Sequence, residues 1–362
     1  MKTAEKAQHA TRAGSLTLSA QRQAVGLKER VKQMKVRREV FGYGMKQLAG
    51  SYELCLWPGD KCENRPVRAH SVQNQRVLDL LCETGKVVMP KLEVGFDQAP
   101  NIVFRKVGRK NATTFTGLCG KHDHAIFKPI ETNPIDINKA EHLFLLAYRA
   151  VLKETHAVRK SALDLQLSYQ KGTEKGLFPK DEPSPPGMLA VEQMMAAYLV
   201  EGEKILMEEA YLTKNWDRVS HEVAEIAGRP TIAVNSMFTT GIYSEVTDAP
   251  AFVMLNVFPK NESTVVVFSY LKEHRVQVQQ AFGHIWSASG HYRHYLLSKL
   301  ILMKCENLVI SPTFYEPLPA HQKEAIAEFF MRNSCGHSFD YDDPRIFLFG
   351  PAQQEEPVLD TR

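Results

Sequence analysis

The spacing of apolar residues along this chain predicts helices in its middle and strands in its last third. From 139 to 170 apolar side chains recur every three or four residues, the period of an amphipathic helix, and a second helix is predicted at about 188–224. After Gly228 the pattern changes and becomes rich in β-branched and aromatic residues. It predicts three successive antiparallel strands, a meander whose last pair is a hairpin, at 229–246, 249–259 and 263–272.

Shorter elements complete the predicted α+β fold. Helices are predicted from Ser19 to about Phe41, at 73–83, 291–304 and 319–333, and extended pieces at KVVMP, NIVFRKV and ATTFTGL. Residues 171–187 have the prolines and glycines of a loop, and residues 1–14 and the tail from Gly350 are expected to be disordered. We therefore expect a basic helical leader at 1–50, a zinc module at 51–135, a helical block at 136–228, an α+β domain at 229–349 and a tail at 350–362.

Composition narrows the class of protein. At 362 residues the chain is long enough for two or more domains, and its 44% hydrophobic and 24% charged residues are typical of a soluble globular protein. No apolar run approaches the length of a membrane span, and no apolar segment follows the N-terminus as in a signal peptide. With only six cysteines we expect a reducing, cytoplasmic setting, where clustered Cys and His more often bind metal than form disulfides.

Charge is divided unevenly along the chain. Residues 1–131 contain 23 Lys or Arg against 12 Asp or Glu, whereas residues 132–362 contain 22 against 29. The basic first part predicts a nucleic-acid partner, and the acidic remainder is compatible with a protein partner or a homo-oligomer. The basic N-terminal helix could lie on phosphate, pack on a partner or brace the zinc module. The candidate nucleic-acid contacts are Arg30, Lys32, Lys35, Arg37, Arg38, Arg68 and Asn74.

Two short stretches hold the residues most typical of a metal site. CLWPGDKC provides Cys55 and Cys62 on either side of a predicted turn, and GLCGKHD provides Cys119 and His122 three residues apart. If a helix begins near Cys119, that pair lies on one helical face, and thiolate plus imidazole is the ligand set of structural Zn²⁺. The alternative is that these are ordinary buried cysteines and a loop histidine. A knuckle, a hairpin and a ligand-bearing helix would form a treble clef.

The motifs around these residues resemble the HNH, or ββα-metal, endonuclease superfamily. PVRAHSVQN, GKVV and ATTFTGLCGKHDHAIFKPIE resemble more closely a group of bacterial proteins of unassigned function with the same order of motifs, over about residues 52–131. The resemblance implies that His70 is a general base and that Asp123 helps to bind Mg²⁺ or another divalent ion. Ala69 stands where many such nucleases have a metal ligand. His70 could otherwise cap its strand or ligate the zinc, and Asn74 could cap the following helix.

Three hypotheses about function follow. The first is a metal-dependent HNH-like endonuclease acting on nucleic acid, for which a role in defence against foreign DNA would suit the architecture. The second is a non-catalytic, zinc-stabilised module that binds nucleic acid or protein, and the third places catalysis in the C-terminal domain. P-loop, HExxH and GxSxG motifs are absent from the sequence. A second metal site can be drawn from C-terminal residues, for which an exposed aromatic and histidine helix face is the alternative: His284, His291, His294, Asp340, Asp342 and Asp343.

Overall fold

A computed structural model describes residues 29–50, 52–59, 61–245, 248–334 and 340–350. The chain divides into two compact units. We call residues 29–50 and 161–194 the helical unit, and the described parts of 52–160 and 195–350 the sheet unit. The expectations for residues 1–14, for the start of the first helix at Ser19 and for the tail beyond Gly350 lie outside the described residues. The five-part domain division stays a prediction.

The sheet unit is built on antiparallel strands. Among its described residues, seven strands form one sheet in the order β3-β2-β9-β6-β7-β8-β5, and β1 pairs with β4 in a small second sheet. The strands are β1 (Ala69–His70), β2 (Lys86–Glu93), β3 (Asn101–Gly108), β4 (Thr114–Phe115), β5 (Val219–Ala227), β6 (Ile232–Ser244), β7 (Ala249–Lys260), β8 (Ser263–Leu271) and β9 (Leu308–Ile310). The predicted meander is confirmed as β6, β7 and β8, and the fold is a mixed α and β structure with antiparallel sheets.

Helices cover both faces of the large sheet. The helices of the described residues are α1 (residues 29–49), α2 (a π-helical turn at Asn74–Leu78 followed by Asp79–Leu81), α3 (Gly120–Thr132), α4 (Ala140–Glu174), α5 (Pro185–Leu212), α6 (Arg275–Ser287), α7 (Gly290–Lys304), α8 (Pro312–Tyr315) and α9 (Ala320–Asn333). Successive strand residues point to opposite faces, so Val265 and Val267 join the core under α3 and α4 while Val266 and Phe268 join the core under α6, α7 and α9. Burial on both faces is why these strands are continuous apolar runs in the sequence.

Two predicted elements differ from the structure. The second long helix ends at Leu212, and residues 219–224, expected to be helical, belong to strand β5, which pairs antiparallel with β8 from Val219 to Ala227. The stretch SHEVAEIA is rich in good helix formers, but pairing with β8 satisfies its backbone as a strand. Helix α6 was not predicted, and the first helix runs to residue 49 rather than ending near Phe41.

The segment around the predicted zinc module contributes to the large sheet. The β2–β3 hairpin joins it through β9, where Val88 pairs with Ile310, and Ile310 in turn pairs with Ile232 of β6. The buried Asn307 side chain donates hydrogen bonds to the Ser71 hydroxyl at 2.7 Å and to the Asn235 carbonyl at 2.7 Å. The sheet therefore joins strands from two segments that the sequence suggested as separate domains.

The helical unit consists of α1 and the facing parts of α4 and α5. Glu39 on α1 forms an ion pair with Lys175 at 2.6 Å, and a Cβ on Gly44 would lie 3.2 Å from the Ser168 hydroxyl. Tyr169 stacks on Phe178 with ring centroids 5.8 Å apart. The ion pair and the close approach at Gly44 hold α1 against the segment that contains the end of α4, and the Tyr169–Phe178 stack joins two parts of that segment.

Candidate metal centre and the adjoining cleft

Four side chains from two distant segments converge beside the start of α3. The loop that follows residue 52 is hydrogen-bonded to the short segment between β4 and α3. The Leu56 N–H donates to the Gly117 carbonyl at 2.8 Å, and the Val67 N–H donates to the Leu118 carbonyl at 2.8 Å. Cys119 directly precedes α3, and its backbone carbonyl accepts a hydrogen bond from the Asp123 N–H at 2.9 Å. His122 therefore lies within the first turn of the helix. The predicted position of Cys119 and His122 at a helix start is confirmed.

The four predicted ligands form one cluster. The ligand atoms of the four residues all lie within 4.8 Å of one another. In the described parts of the chain, these residues form a group that could hold a metal ion: Cys55, Cys62, Cys119 and His122. Cys55 Sγ lies 3.5 Å from His122 Nδ1, and Cys62 Sγ lies 3.8 Å from Cys119 Sγ. The Trp57 ring stacks on the His122 imidazole at 4.2 Å and fixes its plane.

The surroundings of the cluster differ from thiol to thiol. Burial raises the pKa of the Cys55 thiol to about 11, while a hydrogen bond from the Asn64 backbone lowers the pKa of Cys62. The Cys119 N–H donates to Cys55 Sγ at 3.2 Å, and burial lowers the pKa of His122, which favours the neutral imidazole that a metal needs. As thiolates, three sulfurs this close would repel one another unless a cation compensated their charge.

A cleft of about 360 Å³ opens next to this cluster. It is lined by residues from the end of β1, from the turn into α2 and from α3: Ala69, His70, Gln73, Asn74, Gln75, Arg76, Asp123 and Glu131. The structure therefore brings together His70 and Asp123, the two residues that the HNH resemblance implies as catalytic. Their assigned roles stay predictions.

A hydrogen bond to a backbone carbonyl holds His70 in one tautomer. Its Nε2 lies 3.3 Å from the carbonyl oxygen of Arg109, which can only accept a hydrogen bond. Nε2 therefore carries the proton and Nδ1 keeps its lone pair. Burial lowers the pKa of His70, and the positive charges of Arg149 and Arg68 act in the same direction. The neutral imidazole with a free Nδ1 is the form that accepts protons.

Two carboxylates of α3, Asp123 and Glu131, line the cleft, and a buried arginine of α4 contacts one of them. Burial raises the pKa of Asp123, and the charge of Arg149 opposes this effect. Arg149, only 2% exposed, donates from Nη2 to Glu131 Oε1 at 2.7 Å and lies 4.0 Å above the Phe127 ring. Glu131 is 40% exposed, so one end of this ion pair is buried and the other faces the cleft.

Two amide side chains present unpaired oxygens in the same place. Gln73 donates from Nε2 to the Ile130 carbonyl at 2.5 Å, while its Oε1 is buried without a hydrogen-bond partner. Asn74 Oδ1 is likewise buried and unpaired. Buried polar atoms without a partner carry a desolvation cost, and they are common where a ligand or ion completes the set.

Glu131 and Arg149 were not among the site residues predicted from the sequence. Arg149 interrupts the apolar run HLFLLAYRAVL, so a charged residue within a buried helical segment was the signal that could have identified it. Glu131 lies eight residues after Asp123 on the same helix, a spacing that places both near one face. The ion pair between Glu131 and Arg149 depends on the tertiary packing of α3 and α4.

The predicted nucleic-acid contacts fall on different units. Arg68 and Asn74 belong to the sheet unit, where Arg68 is exposed and donates to the Thr114 hydroxyl at 3.0 Å and Asn74 lines the cleft. The others are exposed along α1 in the helical unit: Arg30, Lys32, Lys35, Arg37 and Arg38. Binding of nucleic acid at these residues stays a prediction.

The second metal site drawn from C-terminal residues is not assembled among the described residues. Asp340 and Asp342 pair with Lys299, and Asp343 pairs with Arg345 at 2.7 Å. His291 stacks on the Phe347 ring with centroids 4.4 Å apart. The acidic side chains are therefore satisfied by basic partners and do not converge with the histidines.

Comparison with known proteins adds no family: no protein-family model, no curated protein and no solved structure matches this chain. None of the helices in the described ranges is long and apolar enough to cross a membrane.

Proposed function

We propose that the chain is a metal-dependent, HNH-like endonuclease in which Zn²⁺ fixes the fold and the adjoining cleft cleaves a phosphodiester. The observation that carries this proposal is the state of His70. A neutral imidazole with Nε2–H held by a backbone carbonyl and Nδ1 free lies in one cleft with Asp123.

The geometry of the Cys₃His cluster supports zinc. Zn–S and Zn–N bonds of about 2.3 and 2.0–2.1 Å at tetrahedral angles imply an S–S edge of about 3.8 Å and an S–N edge of about 3.5 Å. The measured Cys62–Cys119 and Cys55–His122 separations are 3.8 and 3.5 Å. Four protein ligands close the coordination shell, which is typical of a structural site.

The cleft supplies the groups that hydrolysis of a phosphodiester needs. His70 Nδ1 would take a proton from the attacking water, and its bond to the Arg109 carbonyl keeps the ring in the competent tautomer. Asp123 and Glu131 offer hard oxygen ligands, which suit a divalent ion such as Mg²⁺ held with its own waters and a substrate phosphate. When bound, that ion would stabilise the developing negative charge on the phosphoryl oxygens.

Arg149 acts on this site through the groups that it contacts. It holds Glu131 by a 2.7 Å ion pair, and its charge lowers the pKa of both His70 and Asp123. Arg149 is therefore a positioning residue. Arg68 and Arg76, both exposed near the cleft, would contact the nucleic-acid backbone.

A cleavage assay on the full chain tests the proposal. The purified protein is incubated with double-stranded DNA, single-stranded DNA and RNA, each with Mg²⁺, with Mn²⁺ or with EDTA, and His70→Ala is compared with wild type. We expect cleavage that depends on a divalent ion and falls by about 10²–10⁴-fold in His70→Ala. His321→Ala, an exposed histidine on α9, is the matched control and should cleave normally.

Two results would reject the nuclease. Wild-type protein that binds nucleic acid but leaves all three substrates intact supports the non-catalytic binding module instead. Cleavage that His70→Ala retains at the wild-type rate places catalysis elsewhere in the chain. Zinc content and thermal stability, measured on the same samples, show whether His70→Ala stays folded.

A further inference from the structure

The helical unit has almost no apolar core. Within its described residues, Val40 is the one large apolar side chain that is buried, and neither of the two hydrophobic clusters of the molecule contains a residue of this unit. Nine large apolar side chains of the unit are exposed instead: Val31, Met34, Met45, Leu48, Leu163, Met188, Leu189, Val191 and Met194. Exposed apolar side chains at this density are typical of an interaction surface.

The exposed residues of α1 have the spacing of a helix-packing seam. Val31, Met34, Met45 and Leu48 fall at alternating intervals of three and four residues when the two positions between them, held by Arg38 and the half-buried Phe41, are counted. This is the a and d pattern of a helix that packs along another helix. The opposite face of α1 is already used, because Val40 is buried there and Glu39 pairs with Lys175.

A complementary surface lies on the other part of the same unit. Residues 161–194, which we call the hairpin segment, expose Leu163 on α4 and Met188, Leu189, Val191 and Met194 on α5. Charge differs in sign between the two surfaces. Residues 29–49 contain six Lys or Arg against two Glu, whereas the hairpin segment contains three Lys against five Asp or Glu.

We propose that the helical unit is a dimerisation module in which α1 of one copy packs on the hairpin segment of a second copy, and reciprocally. A two-fold arrangement of this kind uses both surfaces twice and leaves neither exposed. Pairing α1 with α1 in parallel would instead bring like-charged basic residues together. The hairpin segment lies within residues 132–362, the acidic part for which the sequence suggested a protein partner or a homo-oligomer, whereas α1 lies outside it.

The exposed area is sufficient for a stable dimer. The nine side chains are about half exposed on average and so present on the order of 400–500 Å² of apolar surface per copy. Interfaces of this class are about 60% apolar. An interface that covers these residues would bury about 800 Å² per partner, which is the standard size of a stable complex.

Measurement of molar mass by size-exclusion chromatography with light scattering tests the proposal on the full chain. We expect wild type at twice the 40.9 kDa mass of one chain, and Leu48→Glu and Val191→Glu at the mass of one chain with unchanged circular dichroism. Leu80→Glu is the matched control, because Leu80 is as exposed as Leu48, at 61%, but lies on α2 of the sheet unit. It should remain a dimer.

A cross-linking experiment keeps the proposal testable if the charged variants fold poorly. Isotopically light and heavy copies are mixed and treated with a carbodiimide, which joins a lysine directly to a carboxylate. Links between α1 lysines of one copy and Glu192 of the other are expected. Monomeric wild type, dimeric Leu48→Glu, or mixed-isotope links confined to other regions would overturn the proposal. Dimeric Leu48→Glu with weakened binding to DNA would show that α1 binds nucleic acid instead.

Discussion

The metal cluster and the cleft begin on the same turn of α3 but are built in opposite ways. His122 joins three thiols whose ligand atoms already lie within 4.8 Å, whereas Asp123, the next residue, lines a cleft of about 360 Å³. The cluster offers four protein ligands, the number that fills a tetrahedral shell, and Trp57 stacks on its imidazole. The cleft instead has an imidazole, two carboxylates and two unpaired amide oxygens that do not converge on one point.

On the proposed function, this contrast separates a role of the cluster in stability from a role of the cleft in chemistry. A closed coordination shell leaves no position for substrate, so its energy goes into holding the chain segments together. An open set of polar groups is incomplete without a ligand and is poorly compensated in its absence. Mutations on the two sides of α3 should therefore affect different properties of the protein.

The largest effect is expected for Cys119→Ser. Cys119 is 2% exposed, and losing its thiolate breaks a shell that links residues 55–62 to α3. Bound metal should fall from one ion per chain to near zero, and the melting temperature should drop by about 10 °C or more, since the binding free energy of structural zinc is folding free energy. Elemental analysis and thermal unfolding measure both.

Cys82→Ser is the control for this prediction. Cys82 lies outside the cluster, with its thiol near the Asp79 carbonyl at 3.4 Å. Its variant should keep the metal and nearly all of the stability. Full metal content in Cys119→Ser would remove the basis for assigning these ligands.

A second, intermediate effect is expected for Arg149→Met. The change removes a buried guanidinium that holds Glu131 and stacks on Phe127. Because Glu131 is 40% exposed and water screens its charge, the free energy of unfolding should fall by about 1–2 kcal/mol. Cleavage should fall at least tenfold per folded molecule, about 1.4 kcal/mol in the barrier, while metal in the cluster is retained.

Arg159→Met distinguishes a general loss of packing from an effect on the cleft. Arg159 is less deeply buried than Arg149, at 29% exposed, and it pairs with Glu201 and the Tyr52 hydroxyl, neither of which lines the cleft. Its variant should lose stability and keep its cleavage rate once folded protein is counted. Equal loss of cleavage in both variants would contradict a positioning role for Arg149.

The sequence predicted the cluster better than the cleft for a physical reason. Cys119 and His122 are three residues apart, so a single helical turn brings them together, and the Cys55–Cys62 pair is also local. Arg149 contacts Glu131 and the Phe127 ring only because α4 packs on α3, and no local pattern encodes those contacts. The central strands were predicted for the same local reason, while β5 was assigned to a helix because its residues favour helix until β8 pairs with it.

A third prediction concerns the dependence of cleavage on pH. Burial lowers the pKa of His70 from its ordinary value near 6.5, so the folded protein keeps the imidazole neutral to lower pH than a free histidine does. The rate should be constant above about pH 6.5 and fall as the pH drops through the lower pKa of folded His70. Since the charge of Arg149 also lowers this pKa, Arg149→Met should move the acidic limb to higher pH. The pH profile of kcat/KM measures both, and an acidic limb at or above pH 6.5 in wild type would contradict the assignment.

The smallest effect is expected for Arg68→Ala, which sharpens the comparison at the rim of the cleft. Arg68 is exposed and makes one hydrogen bond, to the Thr114 hydroxyl at 3.0 Å, so its loss should change neither the metal content nor the melting temperature measurably. If it contacts a phosphate, binding of DNA should weaken a few-fold, equally for all sequences, and the slope of log Kd against log salt should decrease by about one.

Arg105→Ala is the control for this prediction. Arg105 is another exposed arginine, which pairs with Glu93 on the β2–β3 hairpin, and its loss should leave binding unchanged. An unchanged salt slope in Arg68→Ala would mean that nucleic acid does not reach this edge of the cleft, and the substrate path would then have to enter past Arg76 and Glu131.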